Sequence, residues 1–149
     1  MEIALEEAKK AFELGEVPVG AVMVSGDKVI AKTYNQKEAD KNTTSHAEIL
    51  LINEVSKLLA TWRLNECILY VTLEPCPMCA GAIIQSRISK VVYGAKNLIY
   101  GSFGTVISLQ NYFPDSKNME LVGGILEEES ASLIKDFFRK EVPKIKGKN

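Results

Sequence analysis

The chain has 149 residues, 46% of them hydrophobic and 25% charged, with a formal net charge of −1. This composition excludes a disordered chain, and the length fits one domain covering residues 1–149. No run approaches ~20 apolar residues, and the acidic start lacks the basic region of a signal peptide. We therefore expect a cytoplasmic protein that is not embedded in a membrane and whose three cysteines stay reduced.

The first half of the chain predicts a helix, a hairpin and a second helix. Residues 3–14 place apolar side chains at helical spacing. Residues 17–24 and 29–34 are apolar and β-branched on either side of a turn, which indicates two paired strands. A polar loop covers 35–44, and a helix is predicted to begin at Ser45 and to run to Leu59.

The second half predicts alternating strands and helices. A strand at 67–73 is followed by a helix at 76–85, with Pro77 in its first turn, and by a strand at 89–94. The signal is weak over 95–117, after which a short strand at 119–122 and a helix at 126–140 are predicted. This order predicts an α/β fold, a three-layer α/β/α sandwich around a central mixed sheet of five strands.

Basic residues concentrate near the C-terminus, where Lys135, Arg139, Lys140, Lys144, Lys146 and Lys148 stand against two acidic residues. A basic segment on a nearly neutral chain is typical of contacts with phosphate groups. A solvated C-terminal helix explains the same pattern, so charge alone leaves both interpretations open.

Two short motifs carry the chemistry, and each has an ordinary structural explanation when it is considered alone. Ser45-x-x-Glu48 matches a capping box, in which the glutamate bonds back to the first residue of the helix. Cys76-x-x-Cys79 at a strand-to-helix junction is also compatible with a redox motif. A single histidine, His46, is more often structural than a metal ligand.

The combination of the two motifs is more specific. His-x-Glu at one helix start, followed by Pro-Cys-x-x-Cys at another, is the signature of zinc-dependent nucleobase deaminases. Cys76 and Cys79 share one helix face, so that both sulfurs can bind one ion. With His46 they supply three ligands for one zinc ion per subunit, whereas structural zinc sites usually have four.

The ligand count leaves a fourth position for water. Cys67 stands six residues before Leu73, roughly 20 Å away at ~3.3 Å per strand residue, and the chain has no second histidine. Glu48 is then the candidate catalytic residue, which accepts a proton from that water and passes it to the substrate. Rival interpretations are a thiol-disulfide oxidoreductase and a purely structural zinc module.

Several segments give the chain a clear resemblance to bacterial tRNA-specific adenosine deaminases. They are Glu16 to Val22, His46 to Ile49, Leu69 to Ile83, Ser86 to Ala95, Gly123 to Glu129 and Asp136 to Arg139. The resemblance implies a cytidine-deaminase-like fold, a homodimer whose interface includes residues from Met78 to Arg87, and conversion of adenosine to inosine at the wobble position (34) of a tRNA anticodon. The expected partner is the anticodon arm of a tRNA, with tRNA-Arg as the leading candidate.

The resemblance also assigns residues around the zinc. It implies that a substrate-binding group surrounds the flipped base: Asn35, Ala47, Leu73, Glu74, Pro75 and Asn97. It places possible tRNA contacts at Phe138, Arg139 and Lys140. The segment Lys96 to Tyr100 departs from the pattern of the family. An alternative substrate is therefore a free nucleobase, nucleoside or nucleotide, such as guanine, cytosine or deoxycytidylate.

Overall fold

A computed structural model describes the backbone of residues 1–146 and the side chains of residues 1–140. Five strands form one mixed sheet in the order β2-β1-β3-β4-β5. The strands are β1 (Gly20–Ser25), β2 (Lys28–Tyr34), β3 (Cys67–Leu73), β4 (Lys90–Ala95) and β5 (Glu120–Val122). β1 runs antiparallel to β2 and to β3, while β3, β4 and β5 are parallel.

Five helices accompany the sheet: α1 (Glu2–Glu13), the short α2 (Lys37–Asp40), α3 (Ala47–Leu59), α4 (Pro77–Gln85) and α5 (Glu127–Lys146). α1 and α5 contact each other and the sheet, and α3 contacts both α4 and the sheet. The core between α3, α4 and one sheet face contains Leu51, Leu69, Val71, Ile83 and Val91. The predicted three-layer α/β/α sandwich with five strands is confirmed.

Several boundaries differ from the prediction. The first strand begins at Gly20 and not at residue 17, since Val19 already bonds back to Val17 and Pro18 lacks an N–H. Gly20 lies so close to α1 that a side chain there would collide with the backbone of Ala4 and Ala8. The predicted loop at 35–44 contains α2, and the last helix extends to Lys146.

The structure corrects one prediction that concerns function. The N-cap of α3 is His46 and not Ser45, and no side chain makes a capping hydrogen bond there. The structure therefore does not support the capping box, which was the structural alternative for the motif Ser45-x-x-Glu48.

No helix within residues 1–146 combines the length and the hydrophobicity needed to cross a membrane. The basic residues Lys144, Lys146 and Lys148 lie outside the part of the chain whose side chains the structure describes.

The packing of α3 on the sheet predicts a difference between two leucines of that helix. Leu51 is fully buried, whereas Leu58 is 60% exposed. Leu51→Ala removes buried methyl groups and leaves a cavity, so it should lower the free energy of unfolding by about 2–5 kcal/mol. Leu58→Ala, the matched control, should change it by less than about 1 kcal/mol. Urea denaturation measures both, and equal losses would contradict the described packing of α3.

Candidate active site

The candidate site lies where two helices begin next to each other. His46 is the N-cap of α3, and Cys76 is the N-cap of α4, directly after β3 has ended at Leu73. Cys79 lies in the first turn of α4, which Pro77 opens at a position where its missing N–H costs nothing. The positive ends of both helices therefore point towards the same small volume, and they favour thiolates there.

The three side chains are close enough to share one ion. The His46 Nδ1 atom lies 3.7 Å from Cys76 Sγ and 3.5 Å from Cys79 Sγ. All three potential ligand atoms lie within 4.8 Å of one another. Tetrahedral zinc, with bonds of about 2.1 Å to nitrogen and 2.3 Å to sulfur, separates such atoms by about 3.6 Å. The residues present thus fit a zinc ion.

The protonation of the two cysteines supports the same conclusion. Without a metal ion, the hydrogen bond from Cys79 and, to a smaller extent, the one from His46 lower the pKa of Cys76 to about 4. The hydrogen bond with Cys76 raises the pKa of Cys79 above its usual value. A divalent cation bound at this place would favour the thiolate form of both sulfurs.

Glu48 stands two residues after His46, in the first turn of α3, and it is buried. Burial raises the pKa of its carboxyl group to about 7, because a buried carboxylate loses its hydration. Glu48 also lines the pocket, so that its carboxyl group can reach a bound substrate. Such a group can take up and release a proton near neutral pH.

A pocket of about 520 Å³ opens above these residues, within the size range of small-molecule sites. His46, Glu48 and Cys76 lie at its wall, together with four of the predicted substrate-binding residues: Asn35, Leu73, Glu74 and Asn97. Ala47 and Pro75 are not part of this wall. The Ala47 carbonyl accepts a hydrogen bond from Thr33, and the Pro75 carbonyl accepts one from the Ser102 N–H.

The three predicted tRNA contacts lie in different surroundings. Phe138 is half exposed and lines the pocket. Arg139 is exposed on α5 and lies 3.9 Å from Asp136. The Lys140 ammonium lies 4.7 Å above the ring of Phe12, as in a cation–π contact.

The pocket also contains residues that the sequence analysis did not assign to it. On α5 they are Ala131, Ile134 and Lys135, and elsewhere they are Val17, Val19, Lys37, Ala95, Lys96 and Leu98 to Tyr100. The α5 residues follow the spacing i, i+3, i+4 and i+7 up to Phe138, which indicates a single helix face. That periodicity could have identified this wall, whereas nothing in the local sequence marks Lys37.

The fold and the site together define the class of protein. A mixed five-stranded sheet carries His46, Cys76 and Cys79 at two helix starts, and an acid/base carboxyl group lies beside them in a pocket. This arrangement is that of a hydrolytic deaminase with a cytidine-deaminase-like fold.

Comparison with known proteins identifies the family. The family model of the MafB19-like deaminases matches residues 1–141. The tRNA-specific adenosine deaminase of Bacillus subtilis is 48% identical over 139 residues, which cover 93% of this chain and 86% of that protein. The chain belongs to the MafB19-like deaminase family and to the family of tRNA-specific adenosine deaminases.

Two solved structures are similar to this chain. A structure from studies of A-to-I editing by tRNA:A34 deaminases has a TM-score of 0.84 and 40% identity, with 89% of this chain and 96% of that chain covered. A guanine deaminase from Bacillus subtilis has a TM-score of 0.63 and 34% identity, covering 74% of this chain and 71% of that one.

The donor set predicts which cysteines are needed for metal. We expect Cys76→Ala and Cys79→Ala each to lose bound zinc, because two ligands hold the ion much more weakly than three. Cys67→Ala, the matched control, should keep its zinc, since Cys67 is buried at the start of β3. Metal analysis of the purified proteins measures this. Retention of zinc by both α4 variants would contradict the proposed ligand set.

Proposed function

We propose that the protein is a zinc-dependent hydrolase that converts adenosine to inosine at position 34 of a tRNA anticodon. One observation carries the proposal: the buried Glu48 lines the same pocket as His46 and Cys76, whose potential ligand atoms lie within 4.8 Å of each other and of the buried Cys79 sulfur. The relatives named as tRNA-specific adenosine deaminases support the choice of substrate. Because that substrate is tRNA, we also propose that the protein acts in the cytoplasm.

In this proposal the cofactor is one zinc ion per chain, held by His46, Cys76 and Cys79. When bound, zinc would act as a Lewis acid that lowers the pKa of water to about 7. The position of Glu48 in the pocket suits it to accept a proton from water and to donate it to the adenine ring nitrogen N1. Water adds its oxygen to C6, the proton of the new C6 hydroxyl group passes to the amino group, and the C6–N bond breaks to release ammonia, so that adenosine and water give inosine and ammonia.

The other pocket residues bind and orient the base. Asn35 is buried, and its amide group can form hydrogen bonds with the edge of a purine. Leu73 and Phe138 supply apolar contacts to the faces of the ring. Since the target atom of a stacked base cannot be reached, the adenine must leave the stack of the anticodon loop to enter this pocket.

We propose that Phe138 contacts the anticodon arm at the mouth of the pocket, with Arg139 and Lys140 closer to the phosphates. All three belong to α5, one face of which forms part of the pocket wall. Their basic charges would add a salt-dependent contribution to tRNA affinity.

A free nucleobase, nucleoside or nucleotide is the second candidate substrate. The similarity to a guanine deaminase from Bacillus subtilis, at 34% identity, favours this alternative. The metal and acid/base chemistry is the same for both, so only the substrate assay separates them.

The proposal predicts the effect of removing Glu48. Incubated with transcribed tRNA-Arg bearing adenosine at position 34, the wild-type protein should form inosine. Glu48→Ala should lower the rate by about 10²–10⁴-fold, because general acid–base catalysis supplies a factor of that size. Its zinc content should not change. Sequencing of the reverse-transcribed RNA detects inosine as guanosine.

Glu54→Ala is the matched control, since Glu54 is an exposed residue of the same helix. Deamination of guanine, cytosine or deoxycytidylate without inosine formation in tRNA would replace the proposed substrate by the alternative. Full activity of Glu48→Ala would contradict the proposed role of Glu48. Zinc binding without any deamination would favour a structural zinc module, and thiol-disulfide exchange by a zinc-free protein would favour an oxidoreductase.

We propose further that the protein is a homodimer that associates through the α4 region. Met78 is partly exposed on α4, and the segment after β4 that packs against α4 exposes Tyr112 and Phe113. Apolar side chains in such a position are typical of a surface that a partner covers.

The dimer proposal predicts a mass of twice the 16.4 kDa of one chain in light scattering after size exclusion. Ala82→Arg introduces a charge on the half-buried face of α4 and should shift the protein towards the monomer. Leu58→Arg on the exposed end of α3 is the control and should leave the dimer intact. A wild-type protein that is monomeric at micromolar concentration would contradict the proposal.

A further inference from the structure

Glu74 is a buried carboxylate that the proposed chemistry does not use. It follows β3 directly and lies two residues before the ligand Cys76, with only 1% of its surface exposed. A buried carboxylate is unfavourable unless hydrogen-bond donors surround it. The positions of the hydrogen-bond donors around Glu74 therefore indicate which segment this residue holds in place.

Within the part of the chain that the structure describes, the Glu74 carboxylate accepts hydrogen bonds from one loop, residues 97–105, which follows β4. Its Oε2 atom accepts the N–H groups of Phe103 and Thr105, each at 3.1 Å. Its Oε1 atom accepts the Asn97 N–H at 3.4 Å and the Thr105 hydroxyl. The carboxylate thus joins both ends of the loop.

The loop closes tightly over this carboxylate. A side chain at Gly101 would lie 2.7 Å from Glu74 Oε2, so that only glycine allows the backbone to approach so closely. The Ser102 N–H donates to the Pro75 carbonyl, and Phe103 is buried in the core. The base of the loop is therefore fixed to the segment that carries the metal ligands.

The tip of the loop has the opposite character. Leu98, Ile99 and Tyr100 are 79%, 73% and 61% exposed, although all three side chains are large and apolar. The Asn97 side chain shapes this tip, because its Oδ1 atom accepts the N–H groups of Ile99 and Tyr100. The same three residues belong to the wall of the pocket that contains Glu48.

We propose that Glu74 is a positioning residue that holds the loop 97–105, so that Leu98, Ile99 and Tyr100 form an apolar rim for the nucleotides next to the target base. Aromatic and apolar side chains are the groups on which unstacked bases pack. The rim would contribute to binding of the polynucleotide, while the chemistry stays with Glu48. This inference rests on the proposed tRNA substrate.

Glu74→Gln tests the positioning role, because the amide keeps the size of the side chain but replaces one acceptor oxygen by a donor. Hydrogen bonds to charged groups contribute more to stability than neutral ones. Their loss should therefore accelerate amide hydrogen exchange at 97–105 about tenfold or more. Hydrogen exchange with mass spectrometry measures this without any substrate. With an anticodon stem-loop bearing adenosine at position 34, KM should rise about tenfold and kcat should fall much less.

Two further variants make the test specific. Glu7→Gln changes a carboxylate that is equally buried but pairs with Lys10 and Lys32, and it should leave both the loop and KM unchanged. Thr105→Val removes a single donor and should produce a smaller change in the same direction. Its milder effect keeps the test valid if Glu74→Gln does not fold.

Unchanged exchange at 97–105 in Glu74→Gln would overturn the inference, as would a fall in kcat with KM unchanged. Acceleration spread over the whole chain, or equal to that of Glu7→Gln, would also overturn it, because it would show a general loss of stability. Failure of the proposed function is distinguishable, since a wild-type protein without activity on the stem-loop would still show the protected loop.

Discussion

The site depends on two helices beginning at the same place. α3 and α4 contact each other, and their first turns bring one imidazole nitrogen and two sulfur atoms within 4.8 Å. The approach of these groups would be unfavourable without the positive ends of the helices, because a thiolate beside a second sulfur is poorly solvated. A cation bound by all three would reinforce the packing that brings them together, so that the fold and the cofactor stabilise each other.

The sequence predicted the sheet well, and it also predicted that His46, Cys76 and Cys79 lie together, because both depend on local patterns. β3 and β4 are short apolar runs bounded by turn residues, and Cys-x-x-Cys fixes the relative position of two ligands on one helix. The pocket wall was harder to predict. Lys37 and the tip of the loop 97–105 reach the pocket through contacts between distant parts of the chain, and such contacts leave no periodicity in their own segments.

The error at the start of α3 has a clear physical reason. Serine is among the strongest N-cap residues, so a pattern of Ser45 and Glu48 predicts a capping box. In the structure His46 occupies the cap position without a side-chain hydrogen bond, and the helix accepts a weaker end. In return, the His46 ring faces the two cysteines and the Glu48 carboxyl group faces the pocket. The helix therefore begins one residue later than the N-cap preference of serine indicates.

Two buried glutamates suggest how the pocket keeps its shape although loops form much of its rim. Glu16 accepts the Glu38 N–H at 2.6 Å and so fixes α2, which carries Lys37 to the pocket. Glu74 acts in the same way on the loop 97–105. A carboxylate can accept several backbone N–H groups at once, and these bonds to a charged group are stronger than neutral ones.

Loops held in this way can vary at their exposed tips while their ends stay fixed. The tip Leu98 to Tyr100 can therefore vary without any change at His46, Cys76 and Cys79, because the Glu74 carboxylate accepts N–H groups from Asn97, Phe103 and Thr105 and none from the tip.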